Sequence, residues 1–285
     1  MTRSRDISPD TTRGRGIMDL STYLPLIWRR SKAAPAGWAR AARLGAFGLT
    51  ALLLLVAVAV WRVRFAAFDA AGAVAIDYRT FVDFGHRLLT DGTAILPYQL
   101  AGPYQAAPEV PRLDPATVPF LYPPAFAFVG VALTVLPAFL WWAVPIALLA
   151  WCVASWRPAP WAWPLMALAL AWPNTSAVVI VGGSTMWAAA LVAAGLRWRW
   201  PAALLLLKPT MLPFALVGVR DRRWWVVAAV LAVVSLPRAG EYVTAMRNTT
   251  DLRWWYSLGD LPLLLLPVVA WLSRAGAPGG SASAP

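Results

Sequence analysis

The chain has 285 residues, of which 60% are hydrophobic and only 13% are charged, and its formal net charge is +12. Soluble domains carry about 25% charged residues, so this composition excludes an ordinary soluble protein and indicates one integral membrane domain. The single cysteine, Cys152, excludes an internal disulfide, and the single histidine, His86, excludes a metal site built from several histidines.

The N-terminal segment, residues 1–43, is basic and is expected to lie in the cytoplasm. It contains nine arginine and lysine residues and three acids, a difference of +6 that is half of the net charge of +12. Cations that precede a first membrane span stay on the cytoplasmic side and attract anionic lipids. Contact with anionic membrane lipids therefore explains much of the positive charge. For this reason, we expect no nucleic-acid partner.

The first membrane span is predicted at residues 44–61, because roughly 20 apolar residues cross a hydrocarbon core. A polar outer loop, residues 62–120, follows this span and holds six of the thirteen acids in the chain. Those acids are Asp69, Asp77, Asp83, Asp91, Glu109 and Asp114. A membrane enzyme would do its chemistry in such a loop, so each acid is either a candidate catalyst or a solvated surface group.

The next apolar segments are too short and too often interrupted to form equal spans. Residues 122–136 are predicted to dip into the membrane from the outer face and return to it, and residues 138–156 to cross inward. Residues 161–172 then cross outward, and residues 173–184 form a turn on the outer side. Residues 185–196 cross inward again. This course keeps Arg157, Arg197 and Arg199 on the cytoplasmic side, as the distribution of positive charge in membrane proteins requires.

The apolar stretch 200–219 has cations at both ends and Lys208-Pro209 in its middle, which predicts a hairpin of two half-helices. The remaining course is an outward crossing by 224–236, an external loop at 237–259, an inward crossing by Leu261–Leu272 and a disordered cytoplasmic tail at 274–285. The sequence therefore predicts an all-α polytopic membrane protein with a transmembrane domain at 44–273. Its short or re-entrant helices are expected to cluster toward the outer leaflet, and interrupted segments often mark binding sites.

Asp77 is the candidate catalytic residue. In residues 76–90 the apolar side chains Phe81, Phe84 and Leu88 recur at helical spacing, which predicts an amphipathic helix with Asp77 near its N-terminus. A carboxylate at that place can act as a general base that removes a proton from an attacking hydroxyl. The alternative is a structural role as the helix N-cap.

Lys208 is the second candidate, because it interrupts an apolar stretch. An ionisable side chain inside a membrane segment is costly and is a functional hypothesis by default. Its ammonium could neutralise a phosphate or a developing anionic leaving group. The alternative is that the side chain extends to the membrane interface.

Four further residues are predicted to bind substrate, and no metal site is predicted. Arg79 and Arg87 could bind phosphate oxygens or could be surface cations. Tyr122 precedes Pro123-Pro124, a pattern that is typical of the start of a short helix. Ser184 follows two glycines that allow a close backbone approach to a sugar or lipid, or alternatively close helix packing.

Several motifs in this order resemble the family-87 glycosyltransferases of the GT-C superfamily. They are Asp77-Tyr-Arg-Thr-Phe81, Leu88-Leu-Thr-Asp-Gly92, Tyr98, Leu121-Tyr-Pro-Pro124, Gly182-Gly-Ser184 and Leu207-Lys-Pro209. The resemblance covers about residues 44 to 237. That family includes polyprenol-phosphate-mannose-dependent mannosyltransferases of bacterial cell-envelope biosynthesis.

The resemblance implies a GT-C-like helical bundle with Asp77 as the catalytic base and Lys208 at the donor phosphate. It implies a polyprenyl-phosphate sugar as donor, a lipid-linked or cell-envelope glycan as acceptor, and no cofactor. The family usually has Gly-Gln where this chain has Gly183-Ser184, so a side-chain amide contact is lost. Family members usually continue through several more spans, so we expect a shortened member of the family.

The location implied is a bacterial plasma membrane with the active site on the outer face, because the Arg-rich and Ala-rich composition is typical of GC-rich bacterial genomes. Two other functions remain open. A transporter or flippase of a lipid-linked or small anionic substrate would use the broken helices and Lys208 as a transport site. A non-catalytic, degenerate family member would keep the fold without the reaction.

Overall fold

The computed structural model describes residues 36–90, 122–248 and 258–274. These segments are helical, with no β-strand among them, so the predicted all-α class is confirmed for them. Contacts divide the chain into two units, residues 1–44 and 45–285, and the described part of the first unit is the beginning of one long helix. The basic segment up to residue 35, the loop at 91–121 and the tail at 275–285 lie outside the described residues, and so do the predictions made for them.

The α-helices of the described segments are numbered in chain order. They are α1 (Ala36–Ala70), α2 (Ile76–Thr90), α3 (Ala127–Val135), α4 (Leu140–Trp156), α5 (Ala162–Ala171), α6 (Pro173–Val181), α7 (Thr185–Trp198), α8 (Leu212–Ala215), α9 (Arg222–Ser235), α10 (Ala239–Asn248) and α11 (Leu261–Leu272). Short 3₁₀ helices connect several of them: Pro124–Phe126, Trp200–Leu207, Pro209–Met211, Leu216–Gly218 and Leu236–Arg238.

By length and composition, two helical stretches are suited to cross a membrane, Gly37–Ala70 and Arg222–Arg247. Two bent helix pairs bring the number to four if each pair forms one span. The first pair joins Pro124–Val135 to Leu140–Trp156 with a bend of 111°, and the second joins Ala162–Ala171 to Pro173–Val181 with a bend of 59°. Apolar helices of this kind indicate a membrane protein.

Three predicted boundaries are wrong. The first helix does not stop at Trp61 but continues to Ala70, since no helix breaker intervenes before Gly72, whose φ is +65°. Residues 173–184 are not simply a turn, because Pro173 starts the helix α6 and the turn begins only at Gly182. The predicted loop at 237–259 is helical as far as Asn248.

The predicted breaks after Leu136 and at Lys208-Pro209 are confirmed. Leu136 has an extended backbone, and α4 starts beyond Pro137. Lys208 is also extended, with φ −127° and ψ 91°, and separates two 3₁₀ helices. The 3₁₀ form of these segments differs from the α-helical halves expected for the hairpin. Because of this break, Lys208 belongs to neither 3₁₀ helix.

A cluster of aromatic side chains holds α2 against the segment before α3 and against α4. Phe81 of α2 lies 5.0 Å from the Phe126 ring, 5.4 Å from the Tyr122 ring and 5.5 Å from the Trp141 ring, measured between centroids. Such pairs are worth about 0.5–1.5 kcal/mol each beyond their buried area. The cluster therefore fixes the helix that carries Asp77.

The two ends of the helices carry different charges. At one end, Arg197 donates to the Ser155 hydroxyl at 2.9 Å, and Pro158 pairs with Arg274 through a backbone bridge. At the other end, the first turns of α2 and α7 carry Asp77 and Thr185, and Asp260 immediately precedes α11. The candidate catalytic groups thus lie at the starts of helices, and these arginines lie near helix ends.

Candidate functional site

Asp77 lies in the first turn of α2, which begins at Ile76. The backbone N–H of Ala75 donates to the carbonyl of Ile180 at 2.9 Å, which joins the start of α2 to the end of α6. Asp77 therefore follows the N-cap position and does not occupy it. A carboxylate in a first helical turn is stabilised by the helix dipole.

The glycine turn after α6 packs directly against Asp77. Gly182 has a φ of +76°, and a Cβ added to it would lie 2.9 Å from the Tyr78 Cβ. A Cβ on Gly183 would lie 3.3 Å from Oδ2 of Asp77. The indole N–H of Trp141 donates to the Gly182 carbonyl at 2.8 Å and holds this turn in place. Glycine is needed at Gly182 because of the left-handed backbone and the close contact with α2.

Lys208 reaches the same end of the helices from the break between two 3₁₀ segments. Its ammonium donates a hydrogen bond to the Thr185 hydroxyl and lies 3.6 Å from Oδ2 of Asp260. The Lys208 side chain is 20% exposed, whereas the Asp260 side chain is only 3% exposed. The alternative of a side chain that simply extends to the interface does not account for these two partners.

Asp260 is the residue that the sequence analysis missed. Its Oδ1 accepts a hydrogen bond from the Asn174 amide at 2.7 Å, and its Oδ2 accepts one from the Thr185 hydroxyl at 2.6 Å. Although Asp260 precedes α11 at the N-cap position, its side chain does not cap that helix. The available signal was an acid between a glycine and a long apolar run, at Gly259-Asp260-Leu261.

Burial and two neighbouring charges change the pKa of the Asp77 carboxyl. Burial raises the pKa of the Asp77 carboxyl from 3.8 to about 6, the positive charge of Lys208 opposes this rise, and the negative charge of Asp260 adds to it. The interaction with both charges places Asp77, Lys208 and Asp260 in one electrostatic group. A carboxyl with a pKa near 6 is ionised at neutral pH and still basic enough to accept a proton.

The other predicted site residues have different surroundings. The hydroxyls of Tyr122 and Ser184 share a hydrogen bond of 2.8 Å next to Thr185 in the chain, so these two are brought together. Arg79 donates to the carbonyls of Gly72 and Val74 at 2.8 and 3.0 Å and is exposed, so it stabilises the loop before α2.

Arg87 lies on α2, about 15 Å further along the helix axis than Asp77 at 1.5 Å per residue. Its side chain lies outside the described residues. Within the described segments, no group of three or more His, Cys, Asp or Glu side chains could hold a metal ion.

Comparisons with protein-family models, curated proteins and solved structures find no match to this chain. The resemblance to family-87 glycosyltransferases therefore stays a prediction from the motifs.

Proposed function

We propose that this protein is a membrane glycosyltransferase that moves a hexose, with mannose as the first candidate, from a polyprenyl-phosphate donor to a lipid-linked or cell-envelope glycan. The observation that carries the proposal is the presence of two interacting charged groups at one end of the helices. Asp77 has a carboxyl pKa raised to about 6, and its charge interacts with that of Lys208, a partly exposed lysine in an otherwise apolar stretch. A base beside a phosphate-binding cation is the arrangement that this reaction needs.

In the proposed reaction, the Asp77 carboxylate accepts the proton of an acceptor hydroxyl. The hydroxyl oxygen forms a bond to the anomeric carbon of the donor sugar as the bond from that carbon to the phosphate oxygen breaks. The electron pair of that bond stays with the polyprenyl phosphate, which leaves as an anion. Lys208 stabilises this anion, because a positive charge close to a leaving phosphate lowers the barrier.

We place the protein in a bacterial plasma membrane, with the N-terminus in the cytoplasm and the site at the outer face. The segregation of charge supports this orientation. Thr185 and Arg197 lie at opposite ends of α7, and Asp260 and Arg274 flank opposite ends of α11. Arginines on the cytoplasmic side put the site, with Thr185 and Asp260, on the opposite side.

A sugar-transfer assay tests the proposal. Purified protein is incubated with radiolabelled polyprenyl-phosphate mannose and a bacterial lipid extract, and labelled products are separated. We expect a labelled glycolipid with the wild type and a loss of at least about 100-fold in Asp77→Asn, since general base catalysis contributes 10²–10⁴-fold. The exposed acid Asp69 supplies a matched control, because Asp69→Asn removes the same charge outside the site. Transfer by Asp77→Asn at the wild-type rate would exclude Asp77 as the base.

A transporter or flippase is the second candidate, because the two bent helix pairs and the break at Lys208 resemble the interrupted helices of transport sites. Reconstituted vesicles separate the two functions. A flippase would move fluorescent polyprenyl phosphate between the leaflets in the absence of any acceptor, whereas the transferase requires the acceptor and yields a new glycoside. A non-catalytic member would do neither.

A further inference from the structure

Lys208 contacts two side chains that lie at the starts of different helices. Thr185 starts α7 and Asp260 precedes α11, and the Lys208 ammonium contacts both. Thr185 is 2% exposed and Asp260 is 4% exposed, so neither group can exchange these contacts for water. Buried polar groups in such networks must find partners inside the protein, which makes their geometry well defined.

The hydrogen-bond directions in this network are determined by chemistry. Lys208 can only donate, and an ionised Asp260 can only accept. The Thr185 hydroxyl has one proton and donates it to Oδ2 of Asp260 at 2.6 Å, so it accepts from Lys208 through its lone pair. Asn174 occupies the other oxygen of Asp260 at 2.7 Å and keeps the carboxylate from rotating.

We propose that Thr185 and Asp260 are positioning residues that hold the Lys208 ammonium at the anion-binding side of the site, where it contacts the phosphate of a polyprenyl phosphate. This inference rests on the proposed function, because it names the residues that prepare the same lysine for the donor. Lys208 has three donor hydrogens. One is donated to Thr185, Asp260 is the ion-pair partner at 3.6 Å, and the remaining donors include one for a phosphate oxygen.

Asp260 has a second effect on the site. Its negative charge attracts the Lys208 ammonium at 3.6 Å, and it is also one of the causes of the raised pKa of Asp77. One carboxylate thereby affects both the base and the cation of the proposed reaction. Thr185, in contrast, is uncharged, so its replacement tests the position of Lys208 without changing the net charge of the site.

The chain offers a direct measurement, because its lysines are Lys32 and Lys208. Full-length protein in detergent is treated with an amine-reactive ester, and the modification of each lysine is quantified by mass spectrometry, with Lys32 as the internal reference. Only an unprotonated amine reacts, and Asp260 stabilises the protonated form. We expect Lys208 to react about tenfold faster in Thr185→Val and in Asp260→Asn, the change that corresponds to one lost hydrogen bond to a charged group.

Two further variants separate positioning from general destabilisation. Thr185→Ser restores the hydroxyl and should return the reactivity of Lys208 to within about twofold of the wild type. Thr175 is also 2% exposed, and its hydroxyl donates to the Ala169 carbonyl at 2.8 Å and not to a member of the Lys208 network. Thr175→Val therefore removes a buried hydroxyl of the same kind and should leave the reactivity of Lys208 unchanged.

Ligand protection supplies the second readout. We expect polyprenyl phosphate to slow the modification of Lys208 at least about fivefold in the wild type and much less in Thr185→Val, with no protection by the uncharged polyprenol. Equal reactivity of Lys208 in wild type and Thr185→Val, or equal protection by the alcohol and the phosphate, would overturn the inference even if sugar transfer is observed.

The same experiment keeps the two proposals distinguishable. If polyprenyl phosphate protects Lys208 as expected while no sugar is transferred from any mannosyl donor, the transferase proposal fails and the phosphate-binding role of the network stands. If sugar is transferred but Thr185→Val changes neither the reactivity of Lys208 nor the KM for the donor, the transferase proposal stands and the network has no positioning role.

Discussion

The Asp77 carboxyl is buried enough to raise its pKa to about 6 and remains beside a lysine whose charge limits the rise. A solvated acid would stay near 3.8 and would be a weaker base at neutral pH. The combination of partial burial and a nearby cation suits a general base, because the group is ionised under physiological conditions and regains a proton readily. This property can be measured without knowledge of the acceptor.

The first prediction concerns the pH dependence of transfer. Asp77 must be unprotonated to accept a proton, so kcat/KM should be constant well above pH 6 and fall about tenfold per pH unit below it. Because Lys208 lowers the pKa of Asp77 and Asp260 raises it, Lys208→Met should shift the inflection to higher pH and Asp260→Asn to lower pH. The measurement is kcat/KM across pH 5–8, with Asp69→Asn as the control. An inflection near pH 4 in the wild type would contradict the prediction.

The second prediction concerns stability and the same acid. The folded protein binds the Asp77 proton more tightly than the unfolded chain, so the ionised carboxylate destabilises the folded state above pH 6 and has no effect below pH 3.8. Asp77→Asn should therefore raise the unfolding temperature at pH 7.5, by an amount that corresponds to at most about 3 kcal/mol. The gain should shrink as the pH falls from 6 toward 4. Thermal unfolding in detergent at several pH values tests this, and a gain that is independent of pH would contradict it.

The third prediction concerns the Lys208–Asp260 pair. Removal of one partner from a fully buried pair costs roughly 3–5 kcal/mol, and Lys208→Met should cost about 2 kcal/mol because the lysine is 20% exposed. The double variant Lys208→Met/Asp260→Asn removes both charges and should recover most of the loss in unfolding temperature, while the rate of sugar transfer stays below that of the wild type. If the two changes add independently, the pair does not interact as the 3.6 Å distance indicates.

At the level of the helices, the contact between α2 and α3 determines where Asp77 lies. Gly85 of α2 and Gly130 of α3 meet at the crossing, and a Cβ on either residue would overlap the backbone of the other helix. The close approach lets Phe81 and Phe126 pack at 5.0 Å on the side of the crossing that leads to the site. The small residues at this crossing therefore position the catalytic turn through the packing of two whole helices.

The fourth prediction tests this contact. Gly85→Ala should separate α2 from α3 and destabilise the protein by roughly 3 kcal/mol, because the opposing atoms are backbone and cannot move aside. Gly48→Ala in α1 has open space around its Cβ and should be neutral or stabilising by up to about 1 kcal/mol. The unfolding temperatures of the two variants and the wild type provide the comparison. Equal stability of Gly85→Ala and the wild type would show that the crossing is looser than described.

At the level of the whole molecule, the candidate site and a group of arginines lie at opposite ends of the helices. One end carries Asp77, Asp260 and Lys208, and the other carries Arg197, which donates to Ser155, and Arg274, which pairs with Pro158. In a bilayer, such a division is produced by the preference of arginine for the cytoplasmic side. The proposed outer active site depends on this orientation.

The fifth prediction tests the orientation with single cysteines. With Cys152 changed to Ala, Asp69→Cys should react with a membrane-impermeant maleimide in intact cells, because the proposed orientation places the exposed C-terminal end of α1 outside. Arg223→Cys, at the exposed start of α9, should react only after permeabilisation. The extent of labelling is measured with and without detergent. The reverse pattern would place Asp77 on the cytoplasmic side and contradict the proposed site.

The sequence by itself determined the helical class, the helix 76–90 with Asp77 in its first turn, and the breaks at Pro137 and Lys208-Pro209. These features are local, because apolar periodicity, proline and glycine act on residues a few positions apart. It also pointed to Lys208, since a charged side chain in an apolar stretch stands out in any reading of hydropathy.

Only the tertiary structure decided which groups meet. Asp260, Thr185 and Asn174 come from three separate segments, and no local pattern relates an acid before the last apolar run to a lysine 52 positions earlier. Likewise, Arg79 matched a phosphate-binding pattern but stabilises a loop through backbone carbonyls. The reason is physical: charge and hydrogen bonding act between atoms a few ångströms apart, and helix packing determines those distances between residues far apart in the chain.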